Sequence, residues 1–171
     1  MNIQTYYRPE EALQSEPLHY TDCGLDNIYL RNGFEAGTID GEPTLSISDL
    51  DGLHRTIGLH IVLERKAPSA KELRFLRDEL DMTQADLARV LGVSDQTVAR
   101  WEKGQCEANG AAVFGLRMIY VLSLVPEDMR TELLNGLLDR LRRLTEMDEV
   151  NDCIELTYKD HEWHSPRLKV A

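Results

Sequence analysis

A chain of 171 residues, 42% hydrophobic and 29% charged, is long enough to bury a core and has the balance of a folded globular protein. Its 30 Asp and Glu outweigh 19 Lys and Arg, a formal net charge of -11, so unspecific attachment to a polyanion is expected to be weak. No run of 18 apolar residues exists, the opening MNIQTYYRPEEALQSE lacks a signal-peptide pattern, and Cys23, Cys106 and Cys153 are odd in number and far apart; a cytoplasmic location with reduced thiols is expected, without a disulfide framework.

No internal repeat is evident, and Gly, Pro and Asn mark three regions. In 1–66, NIYLRNGFEAGTIDGEPTLSI alternates apolar and polar residues around Asn32-Gly33 and Asp40-Gly41, which predicts a small antiparallel meander with Tyr20, Ile28, Tyr29, Leu30 and Phe34 as a small core rather than a ligand pocket. The module ends in a helix, with Asp49 as N-cap and Leu50, Leu53, Ile57, Leu59, Ile61 and Val62 at near-helical spacing, weakened by Gly52 and Gly58. His54 and His60 fall on that helix as ordinary side chains.

Helices fill 67–125. Ser69 caps AKELRFLRDEL, which turns Leu73, Leu76 and Leu80 inward, while NGAAVFGLRMIYVLSLV is apolar nearly all round and predicts burial on several sides. In 126–171, PEDMRTELLNGLLDRLRRLTEM opens at Pro126 and carries a leucine stripe through Leu133, Leu137, Leu141 and Leu144, either a dimer contact or packing inside one subunit. CIELTYKDHEWHSPRLKV then alternates around Lys159-Asp160 as a hairpin whose partner sheet is open. The fold class is α+β, mainly α.

The stretch TQADLARVLGVSDQTVARWEKG carries the function. Thr83 and Ser94 each cap a helix of about two turns, with Gly92 between them where left-handed backbone is needed. Leu87, Leu91, Val93, Val98 and Trp101 point inward, and Ala88 sits where the helices cross. On a helix turning 100° per residue, Gln96, Arg100 and Lys103 fall opposite Val98 and Trp101, while Asp95 and Glu102 lie together on a flank. Arg100 and Lys103 are either a DNA-reading face or a solvated one. The segment is also the least acidic: 69–106 holds 6 basic and 7 acidic residues, against 5 and 11 in 1–68.

From 71 to 104 this pattern resembles the Cro and lambda-repressor (XRE) helix-turn-helix family. The resemblance implies a five-helix domain in which helix 94–103 enters the major groove and the helix opening at Thr83 crosses the backbone. It implies base contacts from Asp95, Gln96, Thr97 and Arg100 and a phosphate contact from Gln84; Thr83, Ser94 and Lys103 complete the expected DNA-binding set. Asp95 departs from the neutral polar residue usual there, either to accept from a cytosine amino group or to repel phosphate. The implied partner is a palindromic double-stranded operator bound by a homodimeric regulator, a repressor.

LHYTDCGLDNIYLRNGFE, then LDGLHRTIG, then the helix-turn-helix resemble in order the MqsA-type antitoxins, with a β-rich module ahead of a Cro-like domain. Those antitoxins hold zinc with two Cys pairs; this chain has only Cys23 there and no CxxC, and the pairs His19 with Cys23 and His161 with His164 fall short of the four ligands structural zinc needs. No metal and no cofactor are expected. The alternative function this resemblance implies is an antitoxin that autoregulates its operon and neutralises a basic ribonuclease toxin through the N-terminal module. Nothing in the motifs points to an enzyme: there is no phosphate loop and no nucleophile motif.

Overall fold

The computed structural model describes residues 12–125, 136, 140–144 and 153–166. The described residues fall into two compact units, one of those up to Ile57 with those from Cys153 onward, the other running from Gly58 to Leu144.

The strands, all in the first unit, are β1 (Leu18–His19), β2 (Ile28–Leu30), β3 (Phe34–Ile39), β4 (Glu42–Ile47), β5 (Ile154–Lys159) and β6 (Glu162–His164). They form a four-stranded sheet of order β1-β2-β5-β6 and a separate two-stranded ribbon, β3-β4. The sheet is mixed: β1 is antiparallel to β2, β5 to β6, but β2 and β5 run parallel, pairing Ile28 with Ile154 and Leu30 with Leu156. Parallel neighbours need a crossover, and here the whole second unit lies between them in sequence. Ile28, Leu30, Ile154, Leu156, Tyr158 and Trp163 are buried, so the inward positions of both strands supply the core. The C-terminal hairpin, grouped with 126–147 in the sequence reading, thus completes the sheet begun at Leu18.

The expected meander is corrected at Asn32-Gly33. A two-residue hairpin turn of that kind needs positive φ at both positions; Asp40 and Gly41 have it (51° and 86°), as do Asp160 and His161 (53° and 63°), and both pairs close hairpins. The second is one residue beyond the expected turn. At 32–33 only Gly33 is left-handed (73°), and the chain leaves the sheet there to start the ribbon. The buried Asn32 side chain stays behind: Nδ2 donates to the Tyr158 carbonyl at 2.9 Å and Oδ1 accepts the Tyr158 N–H at 2.6 Å, extending the parallel ladder by one side-chain rung. A Cβ at Gly33 would stand 2.7 Å from atoms of Tyr158 and Trp163, so both conformation and space demand glycine.

The helices are α1 (Leu50–Glu64), α2 (Ala70–Glu79), α3 (Gln84–Leu91), α4 (Asp95–Glu102) and α5 (Gly110–Leu124). Asp49 accepts the Gly52 N–H at the start of α1, whose first half belongs to the sheet unit and second half to the helical unit. Gly58, a weak point in a helix by propensity, is where the Tyr120 hydroxyl of α5 approaches; a Cβ would overlap it. The C-terminal end of α1 is closed by α5, since Arg117 donates to the carbonyls of Val62 (2.6 Å), Arg65 (2.6 Å) and Lys66 (2.9 Å). Burial pushes its pKa down to about 10. Arg65 Nε meets Glu72 Oε1 at 3.0 Å with both side chains nearly sealed, and Glu72 Oε2 accepts the Ser69 N–H in the capping box of α2.

The apolar α5 is buried at Ala112, Leu116, Arg117, Tyr120 and Val121 and half-buried at Val113, Met118, Ile119 and Leu122. Its uncovered apolar side chains are in the N-terminal half, where Phe114 is 44% exposed and Ala111 is exposed. Of the helix expected over 126–147, residues 136 and 140–144 are described and helical; Leu144 is buried and Arg140 pairs with Glu64. The remainder of that stretch lies outside the described residues.

Candidate nucleic-acid interface

The two-helix motif is assembled by short-range rules. Thr83 accepts the Asp86 N–H and Ser94 the Thr97 N–H, so each short helix begins on a side-chain oxygen that satisfies an otherwise orphan donor. Gly92 ends α3 in the left-handed region (φ 70°, ψ 31°), its N–H bonding the Ala88 carbonyl. Leu87, Ala88, Val98 and Trp101 are buried, as the spacing predicts, whereas Leu91 and Val93 are half-buried.

The outward side of α4 carries the expected set in part. Gln96, Arg100 and Lys103 are exposed, together with Ser94 and Asp95; Thr97 is half-buried, its hydroxyl 2.8 Å from that of Ser94. Asp95 spends one carboxylate oxygen on the Gln96 N–H at 2.8 Å, a placement favoured at a helix N-terminus. Thr83, at the start of α3, is exposed and donates its hydroxyl proton to Asp86 Oδ2 at 2.6 Å. That bond, first among its causes, holds the Asp86 carboxyl below the ordinary carboxylate range.

Two residues stand differently from the helical projection. Glu102 does not flank Asp95 on the surface: its side chain is 5% exposed and is gripped by the Arg77 fork of α2, Nε to Oε1 at 2.6 Å and Nη2 to Oε2 at 3.0 Å. Gln84, the expected phosphate ligand, donates from Nε2 to Glu102 Oε2 at 2.8 Å. Arg77 also reaches Asp78 and the Met82 carbonyl, and its pKa is raised chiefly by the hydrogen bonds to Glu102. Three helix ends are thus tied at one carboxylate. The sequence reading missed Arg77; the available signal was an Arg four residues after the inward Leu73 facing a Glu beside the inward Trp101, opposite charges both on core-side positions.

These contacts resolve the tension between an acidic chain and a DNA-reading motif. Glu72, Asp78, Asp86, Asp95 and Glu102 are engaged by arginines, hydroxyls or backbone N–H groups. Among the described residues, the Arg100 and Lys103 side chains have no ion-pair partner and face solvent. On α4 the Glu102 charge is matched by Arg77, which leaves the exposed Asp95 carboxylate against the two exposed cations Arg100 and Lys103.

Elsewhere the His19 ring stacks on Tyr29 at 4.8 Å and bonds the Asp26 carbonyl, His54 bonds the Tyr20 hydroxyl, and Cys23 lies half-buried in the turn that ends at Gly24. Of these side chains, His54 and Cys23 are half-buried and His19 is exposed. Among the described residues no three His, Cys, Asp or Glu converge as a metal site, and no helix is long and apolar enough to cross a membrane.

Residues 73–110 match the family model described as helix-turn-helix, and this segment is a helix-turn-helix domain of the XRE type. The match covers α2 from Leu73, all of α3 and α4, and ends at Gly110, the first residue of α5. Neither curated proteins nor solved structures give a match to the chain. A DNA-binding regulator is the class these findings define.

Proposed function

We propose that this regulator reads a specific operator by inserting α4 in the major groove, and that it does so as a homodimer on a palindromic site, acting as a repressor. The observation that carries the reading is the uncompensated, outward Arg100 on a helix whose carboxylates are otherwise engaged. Arg100 and Gln96 supply the donors and acceptors that read guanine and adenine edges, with Asp95 and Thr97 beside them. Lys103 and the exposed N-terminal turns at Thr83 and Ser94 meet phosphates; Gln84 keeps its second amide hydrogen for the same purpose while Glu102 holds the first. In a cytoplasm crowded with non-specific DNA, the net charge of -11 penalises unspecific contact and leaves affinity to the correct groove.

The dimer is supported by the outer side of α5, where Ala111, Phe114, Met118 and Leu122 recur at helical spacing without a charge; Arg117, the one charged residue of that helix, is buried. An isologous contact needs a patch tolerant of its own copy, and an uncharged one meets that condition on a strongly acidic protein.

Selection of bound duplexes from random DNA by the full chain is expected to return an inverted repeat with half-sites about one helical turn apart. On that duplex Arg100→Ala should weaken binding by about tenfold or more, the value of one bidentate guanine contact, and relax the preference at one base pair. Equal binding by Arg100→Ala would sink the assignment of the reading face.

A second reading, the antitoxin of a toxin pair, is favoured by the acidity of the first 68 residues, which suits a basic protein partner. Co-elution of the chain with the product of a neighbouring small basic reading frame tests it.

A further inference from the structure

Three carboxylates lie on α3 and α4, and they are held differently. Asp86 of α3 meets Arg89 at 3.2 Å and the Thr83 hydroxyl at 2.6 Å, and Glu102 of α4 is buried against Arg77. Asp95, the first residue of α4, is exposed and meets no cation among the described residues. Its Oδ1 accepts the Gln96 N–H at 2.8 Å, which restrains the side chain at the start of the helix and leaves Oδ2 without a partner there. An unmatched acceptor thus stands at the leading end of the helix that carries Arg100.

The N-terminal residues of such a helix are the ones that approach base edges, and an anion finds few friendly atoms there. Phosphate oxygens repel it and have no hydrogen to give. Guanine and thymine present acceptors, N7 with O6 and O4 respectively, where a carboxylate needs a donor. Only the amino groups at adenine N6 and cytosine N4 donate in the major groove. Adenine sets its N7 lone pair beside N6, an edge that suits an amide, which both donates and accepts, and opposes a second carboxylate oxygen. Cytosine carries a C–H beside its amino group and no such lone pair. One base of the four therefore fits an ionised acceptor in this place.

We infer that Asp95 is a specificity-determining residue, whose carboxylate accepts from the 4-amino group of one cytosine in each half-site. The inference rests on the groove insertion of α4 proposed above and adds the base that its leading carboxylate selects.

The test selects duplexes from random DNA with the full chain and with its Asp95→Asn and Asp95→Ala variants, whose folding is compared by circular dichroism. The wild type should return a fixed cytosine in the half-site, and exchange of that C·G pair for any other should weaken binding about tenfold or more. Asp95→Asn should move the preference at that position to adenine, and Asp95→Ala should leave the position unselected. A duplex with 2-pyrimidinone in place of the cytosine lacks only the amino group; the wild type should lose about tenfold on it, and Asp95→Ala should bind it nearly as it binds the parent duplex. Selected half-sites that are the same for all three proteins overturn the inference. So does a uniform rise in affinity for every duplex in both variants with the base preferences intact, the result for a carboxylate that only repels phosphate. Full affinity of Arg100→Ala for the selected duplex would remove the groove reading and this inference with it, whereas weakened Arg100→Ala beside an unchanged cytosine preference in the Asp95 variants removes the Asp95 assignment alone.

Discussion

The helix-turn-helix region and the mixed sheet are assembled by different kinds of contact. Between Ser69 and Gly104 nearly every boundary is made by a residue bonding three or four positions away: Ser69 to Glu72, Thr83 to Asp86, Ser94 to Thr97, with Gly92 closing α3. In the sheet the decisive bonds join Asn32 to Tyr158, 126 residues apart, and Arg31 to Leu156. Local rules set the boundaries of the motif; the β2-β5 pairing exists only once the chain has returned from the second unit. The comparable long ties inside the DNA-reading motif converge on Glu102, from Arg77, 25 residues away, and from Gln84, 18 residues away. Breaking each kind of contact in turn measures how far that contrast holds.

The largest effect is expected at the Arg77 tie. Arg77→Ala leaves the Glu102 carboxylate buried and unmatched, and loss of one partner from such a pair costs about 3–5 kcal/mol. Thermal unfolding should drop accordingly. Replacing both residues with apolar ones of similar size removes the stranded charge, so the double variant Arg77→Met with Glu102→Leu is expected to recover most of the loss. A double variant no better than the single would show that the tie contributes fold specificity beyond charge balance.

In the sheet, Asn32→Ala strands the N–H and the carbonyl of Tyr158 in a buried setting, at about 1–3 kcal/mol per group. Hydrogen exchange of the Tyr158 amide should accelerate well beyond that of Thr157 on the same strand. Asn32→Asp, which restores the acceptor but not the donor, should recover part of the protection of that amide and none of the carbonyl pairing. Unchanged exchange in Asn32→Ala would mean the rung is not what joins β2 to the C-terminal hairpin.

What could be read from the sequence divides along the same line. The caps at Ser69, Thr83 and Ser94, the Gly92 turn and the inward Leu87, Val98 and Trp101 are legible because each signal and its consequence lie within one or two helical turns. Asp40-Gly41 is legible for the same reason. Asn32-Gly33 has the composition of a hairpin turn, but composition does not say that Asn32 will bond a backbone on β5 instead of taking positive φ itself. The parallel pairing of Ile28 with Ile154 leaves no local trace at all. In the reading face, projection places Arg100, Gln96 and Lys103 outward, yet it treats Glu102 as a surface flank because only the opposite Arg77, on another helix, turns it inward. Exposure of Phe114 escapes the sequence because an all-apolar helix does not state how many sides its neighbours cover.

The smallest effect is expected at a purely local bond. Thr83→Ala removes the oxygen that receives the Asp86 N–H and the hydroxyl that donates to Asp86, and loss of such a cap costs about 1 kcal/mol. The pH dependence follows from the Asp86 carboxyl, held below its ordinary value in the folded state. A depressed carboxylate contributes stability that is present above the unfolded value and disappears as pH falls through the folded one. The gap between wild type and Thr83→Ala should therefore be full near neutrality and narrow in acid, and the Asp86 carboxyl, followed by NMR titration, should move up toward the ordinary carboxylate range in the variant. Val in place of Thr83 keeps the shape without the hydroxyl and should titrate like the alanine variant. If it titrates like wild type, the Asp86 shift comes from Arg89 or the backbone rather than from the cap, and the short-range chemistry of α3 would rest on its charges instead of its hydroxyl.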